Sequence, residues 1–133
     1  MTRGILGILL LLVLLAGGLF VQWTMATLQE PITGELTQAA QAGARGDWDT
    51  ARLHQETAQR GWRKAWRLTA AFADHQPLED ADGLFARLGV YAAQEEEAEF
   101  AACCRELARR VQAISDAHRL TWWNLLYRRP WLP

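Results

Sequence analysis

The chain has 133 residues, too few for two ordinary domains, and 50% of them are hydrophobic while 22% are charged. No charged residue occurs between Arg3 and Glu30, so the apolar residues are concentrated at the N-terminus. In the remainder, basic and acidic residues are nearly balanced, which excludes an electrostatic case for nucleic-acid binding. No nucleophile, metal or phosphate motif occurs at a recognisable spacing. We therefore predict a small protein that is not an enzyme and holds no metal or cofactor.

The apolar N-terminal run extends without a charge from Gly4 to Val21. At about 1.5 Å per residue it is roughly 27 Å long, which matches the hydrocarbon core of a bilayer. We predict a transmembrane anchor over residues 1–26, with Trp23 at the membrane interface.

The flanks of this run predict its orientation. Arg3 lies on the N-terminal side, whereas Glu30 and Glu35 are the first charges on the other side. By the positive-inside rule the N-terminus is cytoplasmic and the rest of the chain lies outside the cell membrane. A cleavable signal peptide is the alternative, and both hypotheses export residues 27–133.

Beyond the anchor, helix-favouring residues dominate and no alternating strand pattern of useful length occurs. The segment 27–46 contains Pro31 and several glycines, which predicts a short helix or linker, or else a kinked continuation of the membrane helix. We predict an all-α fold: one transmembrane helix followed by a small antiparallel bundle of three to four helices, built as two helical hairpins over residues 47–127. Residues 128–133 form a C-terminal tail.

The first long helix of this bundle has the clearest boundary, because Gly46 is a helix stop and Asp47 is a favoured N-cap residue. The helix is predicted to run to about Asp74. Its apolar stripe alternates large and small residues at spacings of three and four, with Trp66 beside it. The stripe consists of Trp48, Ala51, Gln55, Ala58, Trp62, Ala65, Thr69 and Phe72.

Two more helices follow, the first after the Gln76-Pro77 break and the second after a turn near Gln94. The acidic residues Glu79, Asp80 and Asp82 are predicted in the first turn of the third helix, where the helix dipole favours them. We expect the second and fourth helices to form the main pair. The two predicted stripes are Leu78, Ala81, Phe85, Leu88 and Ala92, and then Phe100, Cys104, Leu107, Val111, Ile114, His118, Thr121 and Leu125.

The order of these motifs resembles a bacterial domain-of-unknown-function family, number 4363. The features that carry the resemblance are a short N-terminal membrane anchor followed by the segments GDWDTA, GWRKAW, AFADHQPLED and FARLGVYAAQEEEA. The resemblance extends over nearly the whole chain. The resemblance implies a single-pass membrane protein with an exported helical domain and no assigned activity. The candidate structural or interaction residues are Asp47, Trp48, Ala51, Trp62, Trp66 and His75.

The histidines and cysteines have both functional and structural interpretations. His54, His75 and His118 lie on different helices that a bundle could bring together as metal ligands, but packing or helix capping is favoured. For His75 we expect a cap at a helix C-terminus or a hydrogen bond between helices. Cys103 and Cys104 are adjacent in one helix, where a disulfide would distort the backbone, so we predict two free and buried thiols.

We predict a structural or protein-interaction module that is tethered to the lipid bilayer and contacts an envelope protein. A sensor domain with a cleft lined by Trp62 and Trp66 is the alternative, and an enzyme is less favoured. The last helix should return to the membrane, where aromatic and basic residues near the C-terminus can contact lipid headgroups. These interface candidates are Trp122, Trp123, Tyr127, Arg128, Arg129 and Trp131.

Overall fold

The structure, a computed structural model, describes residues 2–69 and 75–126, and it describes their side chains except at residues 2–3, 21, 25, 69 and 117–126. These residues form four helices and no strand, so the all-α prediction is confirmed. The helices are α1 (Thr2–Ala44), α2 (Trp48–Thr69), α3 (His75–Gln94) and α4 (Glu97–Leu126).

Helix α1 continues for 43 residues and passes through Pro31 without ending. The segment 27–46 is therefore not a separate helix, and its main part is the second half of α1. A proline inside a helix costs about 3 kcal/mol, whereas burial of Ile32 and Leu36 in the core gains about 1.5 to 3 kcal/mol for each side chain. Packing thus offsets the proline and keeps the helix intact.

The first half of α1 is long and apolar enough to cross a membrane. Every large hydrophobic side chain described between Ile5 and Phe20 is exposed, and none of the most apolar window is buried against the protein. The same helix thus contains an apolar half without protein neighbours and a second half built into a core.

The second half of α1 packs between α2 and α4, and α3 closes the bundle on the other side, against α4 and α2. The prediction that the second and fourth helices form the main pair is wrong, because these helices lie across a diagonal. They meet where the Trp48 and Phe100 rings make an edge contact with centroids 5.5 Å apart. Short turns at residues 45–47 and 95–96 make sequence neighbours antiparallel partners, and α1 takes the place beside α4.

The core consists of one stripe from each helix. The described members of the three predicted stripes are buried or half-buried, and Leu84 and Cys103 extend them. The stripe of α1 is Ile32, Leu36, Ala39 and Ala42, whose small distal side chains allow close helix approach.

The end of α1 agrees with the sequence prediction, whereas the start of α3 does not. Gly46 has a left-handed φ of 73°, and the Asp47 N–H donates to the Ala42 carbonyl 3.0 Å away, as a glycine helix stop requires. Helix α3 instead begins at His75, so its acidic residues, which are Glu79, Asp80 and Asp82, lie beyond the first turn, contrary to the prediction. Asp80 pairs with Arg110 of α4 at 3.4 Å.

Two glycines in helices give a matched test of the packing. A Cβ atom at Gly43 would lie 3.0 Å from Cδ1 of the buried Phe100, whereas a Cβ at Gly83 would meet no heavy atom within 4 Å. Gly83→Ala should raise the free energy of unfolding by about 1 kcal/mol through helix propensity. Gly43→Ala should lower it by about 1 kcal/mol or more, because Phe100 cannot move away in a packed core. Urea unfolding in detergent measures both, and equal effects of the two substitutions would contradict this packing.

Candidate functional site

Three residues of the GDWDTA segment, which are Asp47, Trp48 and Ala51, are structural elements of the turn between α1 and α2 and of the start of α2. Asp47 precedes α2, and its Oδ1 accepts a hydrogen bond from the Thr50 N–H at 3.2 Å. Trp48 is half-buried against Phe100, and Ala51 is fully buried. These positions fix the helix start and its contact with the core.

The Asp47 cap has a predicted pH dependence. Hydrogen bonds from the hydroxyl and backbone N–H of Thr50 hold the pKa of Asp47 below its ordinary value of 3.8. A carboxyl with a lowered pKa contributes stability that is complete above 3.8 and is lost as the pH falls through the lower pKa of the folded state.

Asp47→Asn keeps a capping oxygen but does not titrate. The difference in unfolding free energy between wild type and this variant should be constant near neutral pH and should shrink at acidic pH. Acid titrations of both proteins measure it, and a difference independent of pH would contradict the cap.

Trp62 and Trp66 form the aromatic part of the α2 surface that faces α3. Trp62 is 2% exposed and stacks on Phe85 with ring centroids 6.0 Å apart, while Trp66 contacts it edge-on at 6.4 Å. Trp62 Nε1 is buried without a hydrogen-bond acceptor, alone among side-chain polar atoms in the described part of the chain. A groove of about 380 Å³ beside the two indoles is also lined by Arg63, Arg67 and Asp82.

A stripe of four basic residues on α2 was not identified from the sequence. Arg60, Arg63, Lys64 and Arg67 follow the spacing i, i+3, i+4 and i+7, which places them on one helix face. All four are exposed and lie opposite the buried stripe of α2. We call these four residues the basic face. The spacing is a local signal in the sequence, but the overall balance of acidic and basic residues does not reveal it.

The two histidines whose side chains are described, His54 and His75, lie on different helices. His54 Nδ1 lies 2.6 Å from Glu35 Oε2, a partly buried link between α2 and α1 that the sequence analysis missed. His75 is the first residue of α3 and is exposed, so its predicted position at a helix C-terminus is wrong. The side chain of His118 is outside the described residues. Within the described chain no group of three His, Cys, Asp or Glu residues could hold a metal ion.

Cys103 and Cys104 are both free and buried, as predicted. Burial raises the pKa of the Cys103 thiol and raises the pKa of Cys104 to about 12. Cys103 Sγ donates to the Leu84 carbonyl oxygen at 3.5 Å. Both thiols therefore stay protonated at neutral pH and are poor nucleophiles.

The predicted membrane-interface residues are only partly described. Trp23 lies on α1 just beyond the apolar run and is 68% exposed. The side chains of Trp122 and Trp123, together with the whole residues Tyr127, Arg128, Arg129 and Trp131, lie outside the described part.

The fold and surface define a class: a four-helix bundle whose first helix extends N-terminally as an exposed apolar segment, with a basic face on α2. The sequence profile of a family described as "Domain of unknown function (DUF4363)" matches residues 19–125, so the chain belongs to that family. The match begins inside α1 and ends inside α4, and thus includes all of α2 and α3 and parts of α1 and α4. No curated protein and no solved structure matches the chain.

Proposed function

We propose that this protein is a membrane-anchored extracytoplasmic module, not an enzyme, that acts structurally or by binding another envelope protein through its bundle surface. The observation that supports this proposal is the continuity of α1, which joins the exposed apolar half to the bundle core. A rotation or tilt of the membrane segment is then transmitted to the bundle without an intervening linker.

The apolar half of α1 requires a non-aqueous environment. Each leucine-sized side chain gains about 1.5 to 3 kcal/mol when it leaves water, and Ile5 to Phe20 has many such side chains without protein contacts. A run of this length matches the thickness of the hydrocarbon core. A lipid bilayer is the surrounding that satisfies both requirements.

The orientation is tested with the full chain carrying a C-terminal reporter. We expect activity from a periplasmic reporter and none from a cytoplasmic one, because Arg3 lies on the inner flank. Activity of the cytoplasmic reporter alone would contradict the proposed topology. Carbonate extraction of the same membranes tests the anchor, since an anchored chain stays in the pellet.

The partner is tested by crosslinking the tagged full chain in native membranes and identifying the captured proteins. An envelope protein recovered in stoichiometric amount is the expected result. A matched variant with the bundle destabilised, Leu36→Ala, should lose that partner while remaining in the membrane. Equal recovery with this variant would show that the partner binds the membrane helix and not the bundle.

A further inference from the structure

We propose that the basic face of α2 binds the phosphate groups of anionic phospholipids at the surface of the same membrane that holds α1. The inference rests on the proposed membrane anchor. It assigns a second, electrostatic membrane contact to Arg60, Arg63, Lys64 and Arg67, at the end of α2 that points back toward the bilayer.

The height of the basic face follows from the packing of α2 on α1. A Cβ atom at Gly61 would lie 3.1 Å from Ile32 Cγ1, so these two residues lie at the same height along the axis of the antiparallel pair α1 and α2. Six residues further along α2, Arg67 is then level with about residue 26 of α1. At about 1.5 Å per residue it lies roughly 8 Å beyond Val21, where the apolar run ends, and Lys64 lies roughly 12 Å beyond it.

The headgroup layer lies just below this height. A bilayer with an apolar core of about 30 Å is about 40 to 45 Å thick with its headgroups, which leaves a polar layer of about 5 to 7.5 Å on each side. The backbone of Arg67 lies at the outer edge of this layer, and the long flexible side chains of Arg67, Lys64 and Arg63 reach toward the phosphates. Arg60, one turn higher, adds to the positive potential.

The positive charges of the basic face are not neutralised by ion pairs within the described chain and can bind phosphate groups. None of the four residues forms an ion pair with a carboxylate in the described chain; Arg60 donates to Thr57 Oγ1 at 3.0 Å and Arg67 to the Arg63 carbonyl at 3.4 Å. Glu35, Glu56 and Asp82 border the face without pairing with it, and Glu35 pairs with His54 instead. Elsewhere on the bundle, Arg52 and Arg110 pair with acidic residues.

The composition of the groove beside the basic face also favours contact with lipid headgroups. Its walls combine the half-buried indole of Trp66 with the guanidinium groups of Arg63 and Arg67. Indole rings favour the boundary between the apolar core and the headgroups, and arginine binds phosphate oxygens in a bidentate manner. An acidic protein partner would use only the charges, so we favour the lipid surface.

The test uses the full chain in lipid nanodiscs with a fluorophore at Leu68→Cys, a position 42% exposed and next to Arg67 on α2. The native thiols are buried and have raised pKa values, so they label slowly. A quencher on the lipid headgroups reports proximity. Quenching should be stronger in phosphatidylglycerol-containing discs than in pure phosphatidylcholine discs, and added salt should reduce the difference because it screens the charges.

Charge variants test the residues themselves. Arg67→Gln should lower the ratio of lipid-contacting to free bundles about fivefold, since a basic residue near an anionic surface contributes about that factor. The triple variant Arg63→Glu, Lys64→Glu and Arg67→Glu should abolish the dependence on phosphatidylglycerol. Far-UV circular dichroism checks that it remains helical.

A control with the same change in net charge carries Arg45→Glu, Arg87→Glu and Arg105→Glu, which are exposed positions nearer the opposite end of the bundle. It should retain the stronger quenching. Equal quenching in both lipid mixtures, or equal loss in both triple variants, would overturn the proposal.

Two further outcomes separate the alternatives. If quenching is equal in both lipid mixtures and the full chain binds inorganic phosphate through these four residues, the face is a site for free phosphate and the lipid proposal is wrong. If lipid quenching is unaffected by the basic-face variants but these lose a crosslinked protein, the face binds a protein partner instead. Loss of the chain on carbonate extraction would contradict the anchor itself, whereas an anchored chain without lipid-dependent quenching contradicts only this inference.

Discussion

Trp62→Ala should lower the free energy of unfolding by about 3 to 5 kcal/mol, which is a large share of the stability of a small domain. The indole is 2% exposed and contacts both Phe85 and Trp66, so alanine leaves a cavity between α2 and α3. The loss is moderated by removal of the unpaired Nε1 donor, whose burial is itself unfavourable. Denaturant unfolding of the full chain in detergent, followed by circular dichroism, measures the change.

The matched variant is Trp66→Ala, one helical turn further along α2. Trp66 is only half-buried, so this substitution should cost clearly less than Trp62→Ala. A Trp62→Ala protein as stable as wild type would mean that this indole faces solvent. That result would favour a ligand cleft lined by tryptophan over a packed core.

Leu36→Ala should lower the free energy of unfolding by about 2 to 5 kcal/mol. Leu36 is fully buried and belongs to the half of α1 that packs between α2 and α4. If residues 27–46 were only a linker, this side chain would be exposed and its truncation would have little effect.

Leu53→Ala is the matched control, because it removes the same atoms from an α2 leucine that is 58% exposed. We expect a change within about 0.5 kcal/mol for the control. The two variants are compared by urea unfolding under identical detergent conditions. Equal small effects at both positions would show that α1 does not contribute to the core.

The sequence predicted the local structure of α2 and α4 well because its signals are local. Gly46 and Asp47 define a helix boundary through backbone geometry and hydrogen bonding, which need no tertiary context. The three- and four-residue spacing of large apolar residues predicted the buried faces, including those of Trp62 and Phe100.

The sequence left the course of α1 open between a short separate helix or linker and a kinked continuation of the membrane helix, because that outcome depends on packing between helices. Pro31 is a local helix breaker, but the burial of Ile32 and Leu36 against α2 and α4 is a non-local gain that outweighs it. The pairing of the helices was mispredicted for the same reason. The prediction did not count α1 as a helix of the bundle, and α2 and α4 were the two longest helices that remained.

The candidate site also has some features that local sequence signals predict and others that depend on contacts between helices. The roles of Asp47 and Trp48 follow from their place at a helix start, whereas the link between Glu35 and His54 joins residues of two helices and had no local signal. The basic face had a local signal in its spacing. Its significance appears only when the contact between Gly61 and Ile32 gives its height above the apolar run.

The continuity of α1 is tested most directly by a distance between two spin labels. Labels at Leu12→Cys and Gln38→Cys occupy exposed positions on either side of Pro31. An unbroken helix separates them by about 39 Å along its axis. A control pair at Leu12→Cys and Glu30→Cys, which does not cross the proline, should give about 27 Å. Double electron–electron resonance in nanodiscs should show both distances with similar widths. A broad or much shorter distribution for the first pair alone would show a flexible joint and would contradict the account.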